Sequence, residues 1–195
     1  RRQRQMCIRD SVHMKQIHSD IVHIVIDEDF STPPTCDALV TNKPNTPLMV
    51  MVADCSPILF YDNEKRVIAA AHAGRQGAFK NIVKNVIEKM KTEFGTEAKN
   101  VHVSLGASIG VCCYEVGSEI YDEAKEKCLE YAMQKRGERF YLDVGAILLK
   151  QLLSCGIKRE NIEFCDDCTC CSTQRYFSYR AEAKTGRFAG VISLT

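Results

Sequence analysis

The chain has 195 residues, 45% of them hydrophobic, which is enough to build a domain around a continuous core. Its 26 lysines and arginines nearly balance its 25 aspartates and glutamates. The formal net charge of +1 excludes a global field that would attract nucleic acid or an acidic membrane. The sequence has no apolar run near the roughly 20 residues of a membrane span, and no signal-peptide core. We therefore expect a cytoplasmic protein without nucleic-acid or membrane partners.

Strand and helix patterns alternate along the chain, without repeats or linkers. Short apolar runs predict strands at 21–26, 48–53, 58–61, 67–71, 101–105, 162–164 and 188–194. Apolar residues at helical spacing predict helices at 77–92 and 117–135. A third helix is expected to start with Asp143 as its N-cap, run through Leu152 and end at Gly156. This mixture predicts one domain over 1–195, of α/β or mixed α+β class.

A polar turn, Asp62-Asn63-Glu64-Lys65, separates two of the predicted strands. A two-residue loop would pair Asp62 with Lys65 and, in the same register, Cys55 with His72. Opposed strand residues have Cβ atoms roughly 4.5–5.5 Å apart, close enough for a shared metal or a thiolate–imidazolium pair. The register therefore predicts a reaction centre at Cys55 and His72, although Pro57 interrupts the ladder between them.

A glycine turn follows His72 at the predicted start of a helix. Gly74 and Gly77 would leave backbone N–H groups free to donate hydrogen bonds, and such groups can bind phosphate or an oxyanion. Arg75 lies in the same turn and could add positive charge. The alternative is an ordinary strand-to-helix loop.

Eleven cysteines are a high count for this length. Without an export signal, we expect reduced thiols rather than a disulfide framework. Cys165, Cys168, Cys170 and Cys171 could bind zinc, but this segment lacks a second matching knuckle and a nearby histidine, so free thiols are the expectation.

A set of motifs along about 180 residues resembles those of one family in both order and spacing. The motifs are Gln16-Ile17-His18, Asp37-Ala38-Leu39-Val40-Thr41, Ala53-Asp54-Cys55-x-Pro57, Ala71-His72-Ala73-Gly74, Ile109-Gly110-x-Cys112-Cys113-Tyr114-Glu115-Val116, Cys168-Thr169, Phe177-Ser178-Tyr179-Arg180 and Thr185-Gly186-Arg187. The family is the YfiH or laccase-domain (polyphenol oxidase-like) family, whose members are also named peptidoglycan editing factor and purine nucleoside phosphorylase.

The resemblance implies a four-layer α/β/β/α sandwich and a zinc site made by His18, Cys55 and His72. It also implies phosphorolysis of purine nucleosides, methylthioadenosine included, and deamination of adenosine, with purine nucleosides and phosphate as partners. Three protein ligands leave a coordination position open, as in catalytic zinc sites.

Further roles follow from the same resemblance. Asp54, beside Cys55 and His72, is a candidate catalytic residue, and Glu115 is a second candidate proton carrier. Gln16, Arg75 and Arg180 are the candidate substrate-binding residues. Two departures concern this group. The family's A-H-A-G-W-R-G loses its tryptophan and has its arginine shifted to Arg75, and the family's F-F-S-Y-R-R loses its second arginine to Ala181. The amino-terminal segment of the family is expected to be shortened, and the oligomeric state stays open.

Three rival interpretations remain. Four-copper oxidase chemistry requires about ten histidine ligands, generally in His-x-His pairs, whereas this chain has five histidines and no such pair; a single copper stays an alternative to zinc. A metal-free hydrolase acting on peptidoglycan precursors would use Cys55 as nucleophile and His72 as base. In the third interpretation the domain is not catalytic and zinc only braces it.

Overall fold

The computed structural model describes residues 11–195. The strands are β1 (Val22–Ile24), β2 (Ala38–Thr41), β3 (Leu48–Val52), β4 (Ser56–Asp62), β5 (Val67–Ala73), β6 (Val101–Leu105), β7 (Glu115–Val116), β8 (Met133–Arg136), β9 (Arg139–Leu142), β10 (Ile162–Phe164) and β11 (Phe188–Ile192). The α-helices are α1 (Arg75–Phe79), α2 (Ile82–Phe94), α3 (Ser118–Glu126), α4 (Val144–Ser154) and α5 (Tyr179–Glu182). Short 3-10 helices lie at Asp27–Phe30, Ala98–Asn100, Glu130–Ala132 and Arg159–Asn161.

The strands form one large sheet and two small ones. The large sheet has the order β1-β2-β5-β4-β6-β10, with parallel pairs at both edges and antiparallel pairs in the centre. β3 and β11 form a second, two-stranded antiparallel sheet, and β7, β9 and β8 form a third. The mixed α/β class predicted from the sequence is confirmed.

The central strand β5 is buried on both faces, and its alternating side chains enter two separate cores. Val67 and Ala69 face the core that α2 and α4 cover. Ile68 and Ala70 face the core that the β3–β11 sheet covers. By the same alternation His72 points toward the second sheet, and this places it beside the loops that form the candidate site.

The hairpin of β4 and β5 exists, but its predicted register is wrong. Asp62 pairs with Val67, and His72 therefore lies opposite Pro57 rather than Cys55. The loop has four residues because the Asp62 carboxylate accepts hydrogen bonds from two backbone N–H groups of the turn, at 3.0 and 3.2 Å. Arg66 closes the loop with a left-handed φ of 53°.

Two predicted helices also differ from the structure. The segment 77–92 is divided into α1 and α2 at Asn81, whose φ is 62° and whose side chain caps α2 by accepting from the Lys84 N–H. The segment 117–135 is helical only as α3, because Cys128 has a φ of 56° and the chain then enters the β8–β9 hairpin. The apolar spacing predicts that Ile120, Ala124, Cys128 and Tyr131 face inward. Ala124 is buried and Ile120 packs partly buried against the core, whereas Cys128 and Tyr131 are exposed.

The remaining elements follow the sequence more closely. The strand at Val101–Leu105 has the predicted bounds, and the strand predicted at 21–26 is observed as the shorter β1. Asp143 caps α4 by accepting from the Ala146 N–H at 2.8 Å. Within residues 11–195, no helix is long and apolar enough to cross a membrane.

Candidate metal centre

His18, Cys55 and His72 come together at one end of the large sheet. One donor atom from each side chain lies within 4.8 Å of the other two. The His18 Nε2 atom lies 3.9 Å from the Cys55 Sγ atom. The two imidazole rings meet edge to face, with centroids 4.8 Å apart. This set of two imidazoles and one thiol can hold a metal ion.

Three different backbone features bring these side chains together. Cys55 directly precedes β4, and His72 is the penultimate residue of β5. His18 lies in the loop before β1 with a left-handed φ of 59°, which a non-glycine residue rarely adopts. Gly74 lies against the cluster, because a Cβ atom there would stand 2.9 Å from Cys55 Sγ and 3.1 Å from His18 Cδ2.

Asp37 contacts two of the three donor residues and holds them in place through hydrogen bonds. Its Oδ1 atom lies 2.8 Å from His72 Nδ1, so the Nε2 atom of that ring is left as the donor. Asp37 also accepts hydrogen bonds from the backbone N–H groups of Ile17, His18 and Ser19 and from the Ser19 hydroxyl. A single, fully buried carboxylate therefore fixes both the His72 ring and the loop that carries His18.

The charges of the cluster are coupled. Burial lowers the pKa of His72, but the hydrogen bonds with Asp37 and Cys55 outweigh it and raise that pKa to about 9. Burial likewise raises the pKa of Cys55, but hydrogen bonds with His18 and His72 lower it to about 7. Without a metal ion, Cys55 and His72 thus favour a thiolate–imidazolium pair near neutral pH.

The cluster forms part of the wall of a cavity of about 590 Å³, a volume typical of small-molecule sites. Both polar and apolar side chains line it. The apolar lining includes Met14, Met51, Val52 and Ile109, and the polar lining includes Gln16, Asp54, Arg75, Tyr114, Arg180 and Arg187.

Asp54 lines the cavity in a conformation that its neighbours hold in place. Its φ is 86°, an uncommon value for a non-glycine residue. One carboxylate oxygen accepts from the Thr169 hydroxyl at 2.7 Å and the other from the Arg180 backbone N–H at 2.7 Å. Both oxygens are thus engaged, and this favours a positioning role for Asp54 over proton transfer.

The two predicted arginines line the cavity from two short helices, α1 and α5. Arg75 is the first residue of α1, and its guanidinium lies 2.6 Å from the Glu123 carboxylate and over the Phe79 ring. The Arg180 guanidinium donates to the backbone carbonyls of Cys113 and Glu115 and lies over the Tyr114 ring.

The other sequence candidates have different surroundings. The Gln16 side chain lines the cavity while making two hydrogen bonds with the Met51 backbone, at 2.8 and 3.0 Å, so it acts like an additional strand partner. The Glu115 carboxylate contacts Arg139 and Tyr141 and is not part of the cavity lining. A role for Glu115 as a proton carrier has no support from this geometry.

Comparison with known proteins gives the family. The chain matches, over residues 1–195, the family described as multi-copper polyphenol oxidoreductase laccase. The chain belongs to this family. It is 40% identical over 186 residues to a purine nucleoside phosphorylase of Corynebacterium glutamicum, which covers 94% of this chain and 74% of that protein.

Further relatives of this chain are also described as purine nucleoside phosphorylases. It is 37% identical to a purine nucleoside phosphorylase of Clostridium acetobutylicum, covering 95% of this chain and 77% of that protein. It is 31% identical to the purine nucleoside phosphorylase YfiH of Escherichia coli, covering 94% of this chain and 73% of that protein. The resemblance to the YfiH family is therefore confirmed.

Solved structures share the fold. The crystal structure of YfiH from Bacillus licheniformis superposes with a TM-score of 0.90 at 28% identity, covering 96% of this chain and 75% of that one. A Neisseria meningitidis protein superposes with a TM-score of 0.86 at 29% identity, covering 98% of this chain and 77% of that one. The YfiH-like fold that the resemblance implied is confirmed.

Sequence reasoning missed the role of Asp37. Asp37 is the first residue of the Asp37-Ala38-Leu39-Val40-Thr41 motif, and the motif by itself assigns it no function. Its sequence signal was available: an acidic residue directly before the buried run Ala38–Thr41 is costly unless it is paired.

Proposed function

We propose that this chain is a zinc-dependent purine nucleoside phosphorylase that also accepts methylthioadenosine and deaminates adenosine. The observation that carries the proposal is the convergence of His18, Cys55 and His72 on the wall of a nucleoside-sized cavity. The relatives named purine nucleoside phosphorylase, which are up to 40% identical over nearly the whole chain, support the same activity.

The donor set suits zinc. Two imidazole nitrogens and one thiolate sulfur match the borderline-soft character of zinc, and a three-residue set is usual where the metal acts in catalysis. When bound, zinc would supply a Lewis acid with one position free for water or substrate. His18, Cys55 and His72 would hold it, with Asp37 fixing the orientation of His72. Four-copper chemistry does not fit, because this chain has five histidines and no His-x-His pair; a single copper ion at the same three donors is the alternative to zinc.

Phosphate would bind between the two arginines of the cavity. Arg75 and Arg180 are both engaged with protein acceptors, which holds their guanidinium groups in fixed positions. A guanidinium that is held in place can bind phosphate through two parallel hydrogen bonds. In phosphorolysis, a phosphate oxygen forms a bond to C1′ of the ribose while the bond from C1′ to the purine nitrogen breaks.

The apolar part of the cavity would receive the base. Met14, Met51, Val52 and Ile109 form an adaptable surface of the kind that packs on a flat ring. Burial raises the pKa of Tyr114 above its ordinary value, so its hydroxyl stays protonated and can donate a hydrogen bond to substrate. The cavity is large enough for purine and sugar together, at about 590 Å³.

The direct experiment separates the products formed from adenosine. Purified zinc-loaded protein would be incubated with adenosine, with and without phosphate, and the products separated by chromatography. Adenine that appears only with phosphate supports phosphorolysis, and inosine that appears in both samples supports deamination. Parallel incubations with inosine, guanosine and methylthioadenosine would rank the substrates. Conversion of none of them, by protein that carries zinc at His18, Cys55 and His72, would refute the proposal.

A second candidate is favoured by the charges of the metal-free cluster. Because the pKa of Cys55 is lowered to about 7 and that of His72 is raised to about 9, the Cys55 thiolate could act as nucleophile in a metal-free hydrolase, and the His72 imidazolium could protonate the leaving group. Such an enzyme would keep its activity toward amide or ester substrates in excess chelator. Loss of all activity on chelation, with recovery on adding zinc, rejects this candidate.

A further inference from the structure

Four cysteine side chains outside the His18–Cys55–His72 cluster form a second cluster. Cys112, Cys113, Cys168 and Cys171 each place a sulfur within 4.8 Å of the other three. The Sγ atom of Cys171 lies 3.3 Å from that of Cys113 and 3.6 Å from that of Cys112. The sequence around Cys168 and Cys171 contains no second pair of zinc ligands. That pair, Cys112 and Cys113, lies in a distant loop, and Cys113 precedes Cys171 by 58 residues.

Two loops converge to build this tetrathiol cluster. Cys168 and Cys171 have the Cys-x-x-Cys spacing of a zinc knuckle, and their turn is closed by the Ser172 N–H, which donates to the Cys168 carbonyl at 3.0 Å. Cys112 and Cys113 lie in the turn after Gly110. The Gly110 N–H donates to the Cys168 Sγ atom at 3.2 Å, a backbone contact common around metal thiolates.

Gly110 lies where the two loops pack closely against each other. A Cβ atom at this position would stand 3.2 Å from Cys112 Sγ, 3.2 Å from Cys168 Cβ and 3.5 Å from Cys168 Sγ. Cys112 and Cys168 would each have to shift by a few tenths of an ångström to admit it. The parallel bridge between Ser108 and Cys168 fixes the same approach through the backbone.

The spacing of the sulfurs fits one tetrahedral ion. With a zinc–sulfur distance of about 2.3 Å, the sulfurs of a tetrahedron lie about 3.8 Å apart. The separations of 3.3 and 3.6 Å from Cys171 lie slightly below this value, and no pair of the four sulfurs is more than 4.8 Å apart. We propose that Cys112, Cys113, Cys168 and Cys171 form a second, structural zinc site with four thiolate ligands.

The surroundings also suit a site of negative charge. Four thiolates around a divalent cation carry a net charge of −2, after each thiol has given up its proton. The Arg136 guanidinium lies beside the loop, where it donates to the carbonyls of Val111 and Cys112 at 3.4 Å. The Arg180 guanidinium donates to the Cys113 carbonyl at 3.2 Å. Two fixed positive charges therefore partly offset the charge of the site.

This structural zinc would brace the wall of the cavity. Thr169, inside the knuckle, donates its hydroxyl to Asp54, the residue before Cys55. The Ile109 N–H, just before the other half of the cluster, donates to the Asp54 carbonyl at 2.8 Å. Tying the two loops together would hold Asp54 between them, and with it the backbone that presents Cys55.

Zinc counting in the intact chain tests the proposal. We expect about two zinc ions per chain in wild-type protein purified without chelator, measured by plasma mass spectrometry. Cys171→Ser and Cys112→Ser should each bind about one, whereas Cys171→His should keep about two, because histidine can replace one cysteine in such sites. Cys128→Ser, at an exposed cysteine outside both clusters, should match wild type. His18→Ala should lose the other zinc while keeping this one.

Alkylation gives a readout that does not depend on the folding of a variant. Cys112, Cys171 and Cys128 are all exposed. In zinc-loaded wild-type protein, Cys112 and Cys171 should be alkylated at least tenfold more slowly than Cys128, and chelator should abolish the difference. Equal rates with zinc present, a disulfide between two of the four cysteines in freshly purified protein, iron in place of zinc, or a single zinc that His18→Ala removes would each overturn the proposal.

Discussion

The Nδ1 atom of His72 lies 2.8 Å from the Oδ1 atom of Asp37, and both side chains are almost completely buried. The same carboxylate accepts hydrogen bonds from the backbone of the His18 loop. One aspartate thus links two donors of the candidate metal centre that are 54 residues apart in the chain (72 − 18). The geometry of the centre should therefore depend on Asp37 as much as on the donors themselves.

Asp37→Asn should weaken zinc binding at the His18–Cys55–His72 centre by about 10- to 100-fold, because the amide no longer holds His72 in one orientation as a charged acceptor. Competition with a coloured zinc chelator measures the affinity. Asp29→Asn is the matched control, since Asp29 also is buried and contacts a histidine, His23, at 2.7 Å, but away from the centre. Unchanged zinc affinity in Asp37→Asn would show that the carboxylate does not support the metal.

The same carboxylate should govern acid stability. Burial raises the pKa of Asp37, but the hydrogen bonds from His72, Ser19 and Ile17 outweigh it and hold that pKa well below its ordinary 3.8. A lowered folded-state pKa stabilises the protein above pH 3.8, and this stabilisation is lost as the pH falls below it. Urea unfolding of zinc-free protein between pH 5 and 3 should therefore show a steeper loss of stability for wild type than for Asp37→Asn. Parallel curves for the two proteins would contradict this.

Gly74→Ala should deplete the centre of metal. The added Cβ atom would stand 2.9 Å from Cys55 Sγ, a separation that requires the thiol to move. We expect a large fall in bound zinc with the fold retained, as measured by metal analysis and circular dichroism. Gly137→Asn is the control, because Gly137 has nothing within 4 Å of its Cβ position and its φ of 60° is one that asparagine tolerates.

Arg75→Met should raise the KM for phosphate by about 10- to 100-fold, the loss expected for a charge-assisted hydrogen bond of about 1.5–3 kcal/mol. The KM for adenosine should change less, since the guanidinium is proposed to contact phosphate. Initial rates at varied phosphate measure the effect. Arg139→Met serves as the control, because that arginine also pairs with a glutamate but is 68% exposed and outside the cavity. An equal rise in both variants would remove Arg75 from the phosphate site.

The sequence predicts the hairpin of β4 and β5 but not the register in which the two strands pair. Whether the loop between β4 and β5 has two or four residues depends on the Asp62 carboxylate accepting from the turn and on Arg66 adopting a left-handed φ. Cys55 and His72 still come together, because Cys55 lies in the loop before β4 and reaches past Gly74 toward the end of β5. The prediction that Cys55 and His72 lie together is therefore confirmed, but the strand register predicted to bring them together is wrong.

Two predicted helices have the wrong ends for a similar reason. Asn81 and Cys128 both adopt left-handed backbone conformations that interrupt an otherwise helical apolar pattern. Periodicity does not report such single-residue breaks, which are decided by tertiary packing. The tetrathiol cluster was hidden in the same way, because Cys113 and Cys171 are joined only by the folding of two distant loops.

The most direct test of the central proposal is the rate of adenine formation from adenosine and phosphate in His18→Ala, compared with wild type. His18 is a ligand of the proposed zinc site, whereas in the alternative hydrolase the nucleophile is Cys55 and its catalytic partner is His72. We expect His18→Ala to lose zinc from this centre and to slow adenine formation by about a hundredfold or more. His102→Ala, at an exposed histidine on β6, should keep the wild-type rate. Wild-type turnover by a His18→Ala protein that lacks zinc at the centre would contradict the account.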